Sequence, residues 1–238
     1  YIKQQKLLKG RNSYSKTDPG ATFMRMKEDH MRNGQLKPGY NAQISTSNQF
    51  VVNYTLHTNP TDTKTLIPHL KVHKELYGHL PQVQVADAGY GSQENYQYLD
   101  KQQIEAYVKP VDFDRKQRRQ YHPNPFNSDG LEYNADKDIY WCPSGAPMKN
   151  IGQRKKKENG VLKIYTMYKA TGCRNCVLRD ACNKQKGNRI IHINHPGRIL
   201  KQQTHDRLKT EKGIYYRKRR AADVEPVFAN IKYNKGFT

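Results

Sequence analysis

The sequence predicts an α/β fold, and two patterns between residues 40 and 110 carry that prediction. Short apolar or alternating stretches predict strands, and longer stretches with apolar residues at helical spacing predict helices. The two types follow one another in the order strand, strand, helix, strand, helix, strand. Such alternation is typical of a sheet with helices packed against it. The predicted strands are 40–46, 50–57, 83–86 and 104–108, and the predicted helices are 61–77 and 93–102.

Turn and capping residues define the bounds of these elements. Ser47 and Asn48 separate the first two strands and predict a hairpin. Pro68 fits the helix at 61–77 only within its first turn, because proline lacks the N–H that later turns require. Ser92 is the predicted N-cap of the next helix. The residues predicted to face inward are Leu66, Ile67, Leu70 and Leu76 in the first helix and Tyr96 and Leu99 in the second.

Asp87 follows the third predicted strand, in the stretch Gln82-Val-Gln-Val-Ala-Asp-Ala-Gly-Tyr-Gly-Ser. The carboxyl ends of strands in an open α/β sheet face the crevice in which ligands bind. A carboxylate at this place suits a functional site, although a strand-end aspartate also caps turns. Asp87 is therefore a candidate catalytic residue, with turn capping as the alternative.

Glu225 lies among basic and apolar residues near the end of the chain. A helix with one buried face is predicted by the spacing of Val224, Val227, Phe228 and Ile231. Four basic residues, 217–220, precede Glu225, and Lys232 follows it by seven positions on the same predicted face. A carboxylate beside cations suits a group that binds a metal ion while its neighbours bind phosphates. An ordinary surface glutamate is the alternative.

These two stretches resemble the DDE transposases of bacterial insertion sequences. Ala-Asp-Ala-Gly-Tyr, around Asp87, is similar to the second-aspartate motif of that family. Arg-Arg-Ala-Ala-Asp-Val-Glu-Pro-Val-Phe-Ala-Asn-Ile-Lys, around Glu225, is similar to its glutamate motif. Thr17-Asp-Pro-Gly-Ala-Thr-Phe-Met and Gly39-Tyr-Asn-Ala-Gln also look like this family. The resemblance therefore covers nearly the whole chain, in the same order.

The glutamate motif departs from the family at one interval. The family has a tyrosine, two residues, an arginine, three residues, the glutamate, six residues and a lysine. The intervals Tyr216–Arg219 and Glu225–Lys232 fit this pattern. The interval from Arg219 to Glu225 is two residues longer, so the arginine is matched less well than the glutamate and the lysine.

The resemblance implies a fold, a chemistry and a partner. The fold would be a ribonuclease H-like mixed sheet that lacks its first strand. Asp87 and Glu225 would bind two Mg²⁺ ions, and DNA strands would be cut and joined by in-line attack at phosphorus. The DNA backbone would be contacted by Arg217, Arg219, Arg220 and Lys232. The expected partner is DNA at transposon ends, bound by a homo-oligomer in the bacterial cytoplasm and associated with the nucleoid.

The first catalytic aspartate of the family has no counterpart in this sequence. In the family it sits on the first strand, in an Asp-Gly-Thr or Asp-Gly-Ser context, and no such context occurs here. We therefore expect an N-terminally incomplete copy that holds two of three catalytic acids. Asp18 is the early substitute to test. A non-catalytic, zinc-stabilised DNA-binding remnant and a nucleic-acid-binding protein without nuclease chemistry are the alternatives.

The implied fold divides the chain into four parts. Residues 1–38 are polar and basic and are expected to form an extended segment. Residues 39–110 would form the ribonuclease H-like core, and residues 198–238 would complete it with the C-terminal helix. Residues 111–197 would be an insertion before that helix. Its charge runs Arg115-Lys-Gln-Arg-Arg and Arg154-Lys-Lys-Lys are expected to be solvated surface, with phosphate contact as the alternative.

The insertion contains all the cysteines of the chain, which are Cys142, Cys173, Cys176 and Cys182. Two residues separate Cys173 from Cys176, a spacing that lets two thiolates bind one ion. Four thiolates complete a tetrahedral zinc site, and zinc can stabilise a segment too polar to fold by burial. We therefore predict a zinc site. Free thiols and disulfides are the alternatives, and a cytosolic location disfavours disulfides.

The composition indicates a polyanionic partner. The chain has 42 Lys and Arg against 21 Asp and Glu, a formal net charge of +21. Such an excess attracts nucleic acid and makes its binding depend on salt. It does not distinguish DNA from RNA, or an enzyme from a packaging protein. We expect no membrane partner, because no apolar run reaches the length of a spanning helix.

Overall fold

The computed structural model describes residues 1–8, 10–26, 33–158 and 161–236. The chain forms two compact units. Unit 1 comprises Tyr1–Val111 and Gln203–Thr238, and unit 2 comprises Asp112–Gln202. The insertion expected from the sequence spans residues 111–197, and the observed unit 2 spans Asp112–Gln202. The mixture of helices and sheets confirms the α/β prediction.

The N-terminal part of unit 1 has regular structure. Helix α1 spans Ile2–Leu8, and strands β1 (Thr22–Arg25) and β2 (Leu36–Gly39) form an antiparallel pair. The side chain of Arg11 donates to the carbonyl oxygens of Leu7 and Leu8 at the end of α1 and to those of the loop before β1. One guanidinium thus satisfies helix-end acceptors that would otherwise lack partners. The segment predicted to be extended contains a helix and an antiparallel pair of strands.

The predicted hairpin is present as β3 (Asn41–Ser47) and β4 (Phe50–His57). Its turn residues Asn48 and Gln49 have φ angles of 50° and 68°. A two-residue turn with positive φ at both positions matches the twist of the strands it joins, and asparagine tolerates that backbone conformation well. The local sequence therefore specifies the register of this pair.

A second pair of strands carries the candidate site. Strands β5 (Val83–Ala86) and β6 (Glu105–Val108) are parallel, and α3 (Gln93–Lys101) connects them. Ser92 caps α3 as predicted, because its hydroxyl accepts a hydrogen bond from the Asn95 backbone N–H at 3.2 Å. Tyr96 and Leu99 are buried, which confirms their inward orientation. The β5–β6 pair and the β3–β4 pair are separate sheets.

Helix α2 (Leu66–Tyr77) follows a 3-10 turn at Asp62–Lys64. Pro68 lies in its first turn, where the missing N–H costs nothing. Leu66 and Leu70 are buried as predicted. The inward prediction for Leu76 is wrong, because its side chain is 62% exposed. Leu76 comes six positions after Leu70 and therefore lies about 120° away from it around the helix.

Two helices bring the chain back to unit 1. Helix α6 (His195–Lys209) begins in unit 2 and ends in unit 1, and α7 (Glu211–Ala229) follows it directly. Thr210 caps α7, since its hydroxyl accepts from the Gly213 N–H at 3.1 Å. Val227 is buried, and a π-helical turn at Asn230–Asn234 continues the helix. The predicted C-terminal helix is thus confirmed.

Unit 2 is built around a five-stranded antiparallel sheet. Its strands are β7 (Tyr133–Asn134), β8 (Ile139–Trp141), β9 (Pro147–Glu158), β10 (Val161–Lys169) and β11 (Ile190–Ile193), in the spatial order β11-β10-β9-β8-β7. Unit 2 also contains two short helices, α4 (Phe113–Lys116) and α5 (Arg179–Cys182). Its core is formed by Tyr140, Met148, Tyr168, Ala170, Ile191 and Ile193. Unit 2 therefore has a hydrophobic core of its own.

Candidate active site

Asp87 lies directly after β5, at the place that the sequence predicted. One carboxylate oxygen, Oδ1, accepts a hydrogen bond from the Ala88 N–H at 2.8 Å and caps the 3-10 turn Ala88–Tyr90. The other, Oδ2, lies 3.8 Å from Nη2 of Arg220, and the side chain is 56% exposed. Asp87 thus caps the turn with Oδ1, while Oδ2 lies near Arg220 of α7.

Glu225 lies on α7 and approaches the same arginine. Its Oε1 atom is 3.9 Å from Nη1 of Arg220, and its side chain is 70% exposed. Asp87 and Glu225 are 138 positions apart in sequence, yet they flank one guanidinium. The two candidate carboxylates therefore lie in one site. Their exposure leaves oxygen atoms of both available to a ligand from solvent.

The predicted DNA-contacting residues have different surroundings. Arg219 forms an ion pair with Asp223 at 3.2 Å and donates to the Tyr215 hydroxyl at 2.8 Å. Arg220 pairs with the two candidate carboxylates. Arg217 and Lys232 are partly buried. Direct phosphate contact by these four residues stays a prediction, and two of them already have anionic partners within unit 1.

A network of polar side chains near the Asp87 turn was missed by the sequence reasoning. The Oδ1 atom of Asp62 accepts from Asn41 at 2.8 Å and from Gln43 at 3.2 Å. The hydroxyl of Tyr90 donates to Gln43. Burial, followed by the nearby carboxylate of Asp62, raises the pKa of Tyr90. The stretch Gly39-Tyr-Asn-Ala-Gln signalled the resemblance, but nothing in it indicated a link to Asp62.

A cavity of about 550 Å³ in unit 1 is lined by Asp87 and Arg220. Every residue from Gln43 to Ser47 in β3 and every residue from Val83 to Asp87 lines it. Side chains alternate between the faces of a strand, so lining by consecutive residues means that the strand edges face the cavity. Residues of helices α2 and α7 line it as well, together with Val52 of β4 and Tyr90. The cavity therefore lies between two open strand edges.

His69 on α2 also lines this cavity. Its ring is hydrogen-bonded on both sides, with Nε2 2.6 Å from the Ser45 hydroxyl and Nδ1 2.7 Å from the Thr55 hydroxyl. Burial, assisted by the neighbouring His57 and His73, lowers the pKa of His69 to about 4. The imidazole is therefore neutral at physiological pH and holds β3, β4 and α2 together.

The donor chemistry of the site fits a hard divalent cation in part. Carboxylate oxygens are the ligands that Mg²⁺ prefers, and Asp87 and Glu225 supply two carboxylates. Within the described ranges, no group of three or more His, Cys, Asp or Glu side chains is arranged to hold a metal ion. Asp18 therefore does not complete a metal-binding triad here. Its carboxylate accepts from the Gly20 N–H and the Tyr40 hydroxyl, each at 2.9 Å.

Comparison with protein families bears directly on this site. Residues 141–238 match the family described as Transposase DDE domain. This part of the chain is therefore similar to the DDE domain of transposases. Comparison with curated proteins and with solved structures gave no match.

The DDE match covers one of the two candidate carboxylates. Glu225 lies within residues 141–238, together with Arg220 and Lys232, whereas Asp87 lies before them. The link between Asp87 and the matched part is therefore the shared contact with Arg220. No helix among the described residues is both long and apolar enough to span a membrane.

All four cysteines also lie within the DDE match, and each is a partly buried free thiol. Arg189 lies near two of these cysteines, Cys173 and Cys182. Its backbone N–H lies 3.5 Å from the Cys173 sulfur, and its Nη1 lies 3.0 Å from the Cys182 sulfur. Burial opposes ionisation of Cys142, but hydrogen bonds with Ser144 and Ala146 and the charge of Arg189 together outweigh it, so the pKa of the Cys142 thiol is lowered. The described cysteines do not form a group of three or more metal ligands.

Proposed function

We propose that the chain is the catalytic domain of a bacterial insertion-sequence transposase that cleaves and joins DNA strands at transposon ends. One observation carries this proposal: Asp87 and Glu225 flank the same guanidinium, that of Arg220. The family match adds support, because it includes Glu225 and its surroundings. We further propose that the protein acts on DNA as a homo-oligomer in the cytoplasm, associated with the nucleoid.

The residues of the site would divide the work of phosphoryl transfer. Asp87 and Glu225 would hold the divalent cations. When bound, two Mg²⁺ ions would supply the positive charge that favours an attacking hydroxyl and stabilises the leaving oxygen. Arg220 would offset the repulsion between the two carboxylates, and Lys232 would contact the DNA backbone. Phosphate contacts of this kind fix the register of the DNA without reading its sequence.

We also propose that the cavity receives a strand that carries the third carboxylate. Two open strand edges face it, and backbone N–H and C=O groups on open edges can pair with an added strand. Tyr90, just beyond β5, contacts Gln43 near the start of β3, and in the proposed arrangement the two edges run in opposite directions. An added strand would be antiparallel to β3 and parallel to β5. The sheet would then have the mixed order of a ribonuclease H-like fold.

Conservative substitutions test the proposed chemistry. Asp87→Asn and Glu225→Gln are made in the protein expressed from its complete gene, and Mn²⁺-dependent nicking of duplex DNA is measured. We expect each to reduce nicking by about 10³-fold or more while leaving DNA affinity within about threefold, because a metal ligand is lost and little cationic surface changes. Glu211→Gln, an exposed position on the same helix, is the matched control.

The outcome also distinguishes the second candidate function, a non-catalytic DNA-binding remnant. That candidate is favoured by the two-carboxylate donor set of the described residues. It requires that the unmodified protein bind DNA and lack metal-dependent nicking. Retained nicking in both the Asp87 and the Glu225 variants would remove these residues from the mechanism.

Zinc binding by Cys142, Cys173, Cys176 and Cys182 is proposed as a structural feature of the insertion. The lowered pKa of Cys142 favours the thiolate that zinc requires. Four-thiolate coordination would require Arg189 to leave the sulfur of Cys182. Elemental analysis of the purified protein is the test: Cys173→Ser should remove about one zinc per chain. If the wild-type protein contains no metal, the zinc proposal is wrong and the four cysteines are free thiols.

A further inference from the structure

Strands β9 and β10 extend beyond the rest of the unit 2 sheet. Strand β8 pairs with β9 only at Pro147–Lys149, and β11 pairs with β10 only at Thr166–Lys169. Residues 154–158 of β9 and 161–165 of β10 therefore form a two-stranded segment, called the ribbon below. At ~3.3 Å per residue the ribbon is roughly 16 Å long. A two-stranded ribbon has little stability of its own, so its projection from the sheet calls for a functional explanation.

The strand register sorts the ribbon side chains onto two faces. Leu162 is opposite Lys157, and Ile164 is opposite Lys155. Side chains directly opposite one another in an antiparallel pair share a face. This face is called the apolar-basic face below. The residues between them in sequence, including Lys156 and Lys163, lie on the other face, called the Glu158 face.

The Glu158 face carries one carboxylate among its cations, which are Arg154, Lys156 and Lys163. The carboxylate of Glu158 forms ion pairs with Lys156 at 2.8 Å and Lys163 at 3.2 Å. It also accepts a hydrogen bond from the Tyr165 hydroxyl at 2.8 Å. These partners, Lys156 first, lower the pKa of Glu158 to about 2. The negative charge is therefore present throughout the physiological range, and it offsets part of the charge of the two lysines.

The apolar-basic face has a different composition. Leu162 is 61% exposed and Ile164 is 43% exposed. Lys155 and Lys157 are exposed beside them, and no ion pair with a described carboxylate is formed by either lysine. Exposed cations next to exposed aliphatic side chains match a surface that offers both phosphates and apolar groups. The grooves of duplex DNA have that character, since thymine methyl groups lie between two rows of phosphates.

We propose that the apolar-basic face of the ribbon is a DNA-binding surface that lies in a groove of duplex DNA. The major groove admits a two-stranded β-ribbon, and Lys155 and Lys157 are placed to contact its phosphates. This assignment rests on the proposed function insofar as DNA is the partner. It adds a binding element in unit 2 that is separate from the carboxylate site of unit 1.

The competing explanation is that the lysines only prevent unwanted strand pairing. Charged side chains on exposed strands, lysines above all, protect edges from aggregation. That role would be served equally by cations on either face, and it gives no reason to expose Leu162 and Ile164. It therefore predicts the same effect on DNA binding for equal charge removal from the two faces.

Two double variants with equal changes in formal charge form the test. Lys155→Ala/Lys157→Ala removes cations from the apolar-basic face, and Lys156→Ala/Lys163→Ala removes them from the Glu158 face. Binding of a fluorescently labelled duplex is measured by anisotropy over a series of KCl concentrations. We expect the first variant to weaken binding by about tenfold or more and to reduce the salt slope by about 2. The second variant should change the affinity by less than about threefold.

A third variant tests the apolar contact. Leu162→Ala/Ile164→Ala should weaken binding while leaving the salt slope unchanged, because it removes no charge. Unchanged circular dichroism and thermal unfolding check that each variant keeps its fold. Equal effects of the two lysine variants, or no effect of either, would overturn the ribbon assignment alone. Failure of the unmodified protein to bind duplex DNA would overturn both this assignment and DNA as the partner.

Discussion

Arg220 is the residue that joins the two candidate carboxylates, and its charge has two effects on them. It offsets their mutual repulsion, and it competes with any cation that approaches the same oxygens. Exposed ion pairs of this length contribute about 1 kcal/mol or less to stability. The main consequence of Arg220 is therefore expected in cation binding rather than in folding.

We predict that Arg220→Gln strengthens the binding of Mn²⁺ to the isolated protein by about 3- to 10-fold, because it removes a positive charge about 4 Å from both ligands. Paramagnetic relaxation of water protons measures the affinity. Arg219→Gln is the matched control, since Arg219 pairs with Asp223 instead. Weaker Mn²⁺ binding in the Arg220 variant would show that the guanidinium organises the carboxylates more than it competes for them.

His69 is predicted to make the stability of unit 1 depend on pH. Its pKa is about 4 in the folded protein, against about 6.5 in an unfolded chain. The unfolded state therefore binds more protons between these values, and stability falls as the pH is lowered from 6.5 to 4. The loss should approach about 3 kcal/mol. Urea unfolding across this range measures it, and His69→Asn should flatten the dependence. An unchanged slope in the variant would assign the effect to other groups.

At the scale of elements, short-range signals predicted structure well and long-range contacts were not predictable. The hairpin turn at Asn48 and the cap at Ser92 depend on neighbouring residues alone, and both are confirmed. Asp87 was placed at a strand end for the same reason. Its meeting with Glu225 depends on how α7 packs in unit 1, which no local pattern encodes. The resemblance to a family suggested this meeting, whereas residue spacing could not.

The junction between α6 and α7 depends on close backbone packing at Gly213. A Cβ atom at this position would overlap the backbone of Arg207 and lie 2.8 Å from the carbonyl carbon of Leu208. Neither backbone atom can move without disturbing α6. We predict that Gly213→Ala destabilises the protein by about 1–3 kcal/mol, in the range of overpacking substitutions. Thermal unfolding measures the change.

The control for this prediction is Gly187→Ala. No heavy atom lies within 4 Å of a Cβ at Gly187, so the substitution adds a methyl group without a clash. Its melting temperature should remain close to that of the unmodified protein. Equal melting of the Gly213 and Gly187 variants would mean that the α6–α7 junction relaxes at little cost.

At the scale of the whole molecule, the sequence predicted an insertion but not the contact that joins its two ends. The buried carboxylate of Asp112 lies at the beginning of unit 2, and it pairs with Lys116 and with Lys201, each at 2.9 Å. Lys201 lies near the end of the unit, so this ion pair brings the two ends together. Neighbouring ends are typical of domains that tolerate insertion into another domain. Residues so far apart in sequence gave no local sign of this contact.

We predict that residues 112–202 fold as an isolated fragment, because they contain a five-stranded sheet, a separate core and the Asp112–Lys201 pair. Cooperative thermal unfolding followed by circular dichroism tests this. Burial opposes ionisation of Asp112, but Lys116 and Lys201 outweigh it and lower its pKa to about 2. The stabilisation should therefore be present above about pH 4 and lost as the pH falls to 2.

Asp112→Asn serves as the variant that isolates this ion pair within the fragment. It should lower the free energy of unfolding at neutral pH by about 1–2 kcal/mol, since two lysines lose a shared and partly desolvated partner. It should also remove most of the acid dependence between pH 4 and 2. A fragment that unfolds without cooperativity would show that unit 2 depends on unit 1 for its stability. A folded fragment with the same stability in both forms would show that its sheet and core hold the ends together without Asp112.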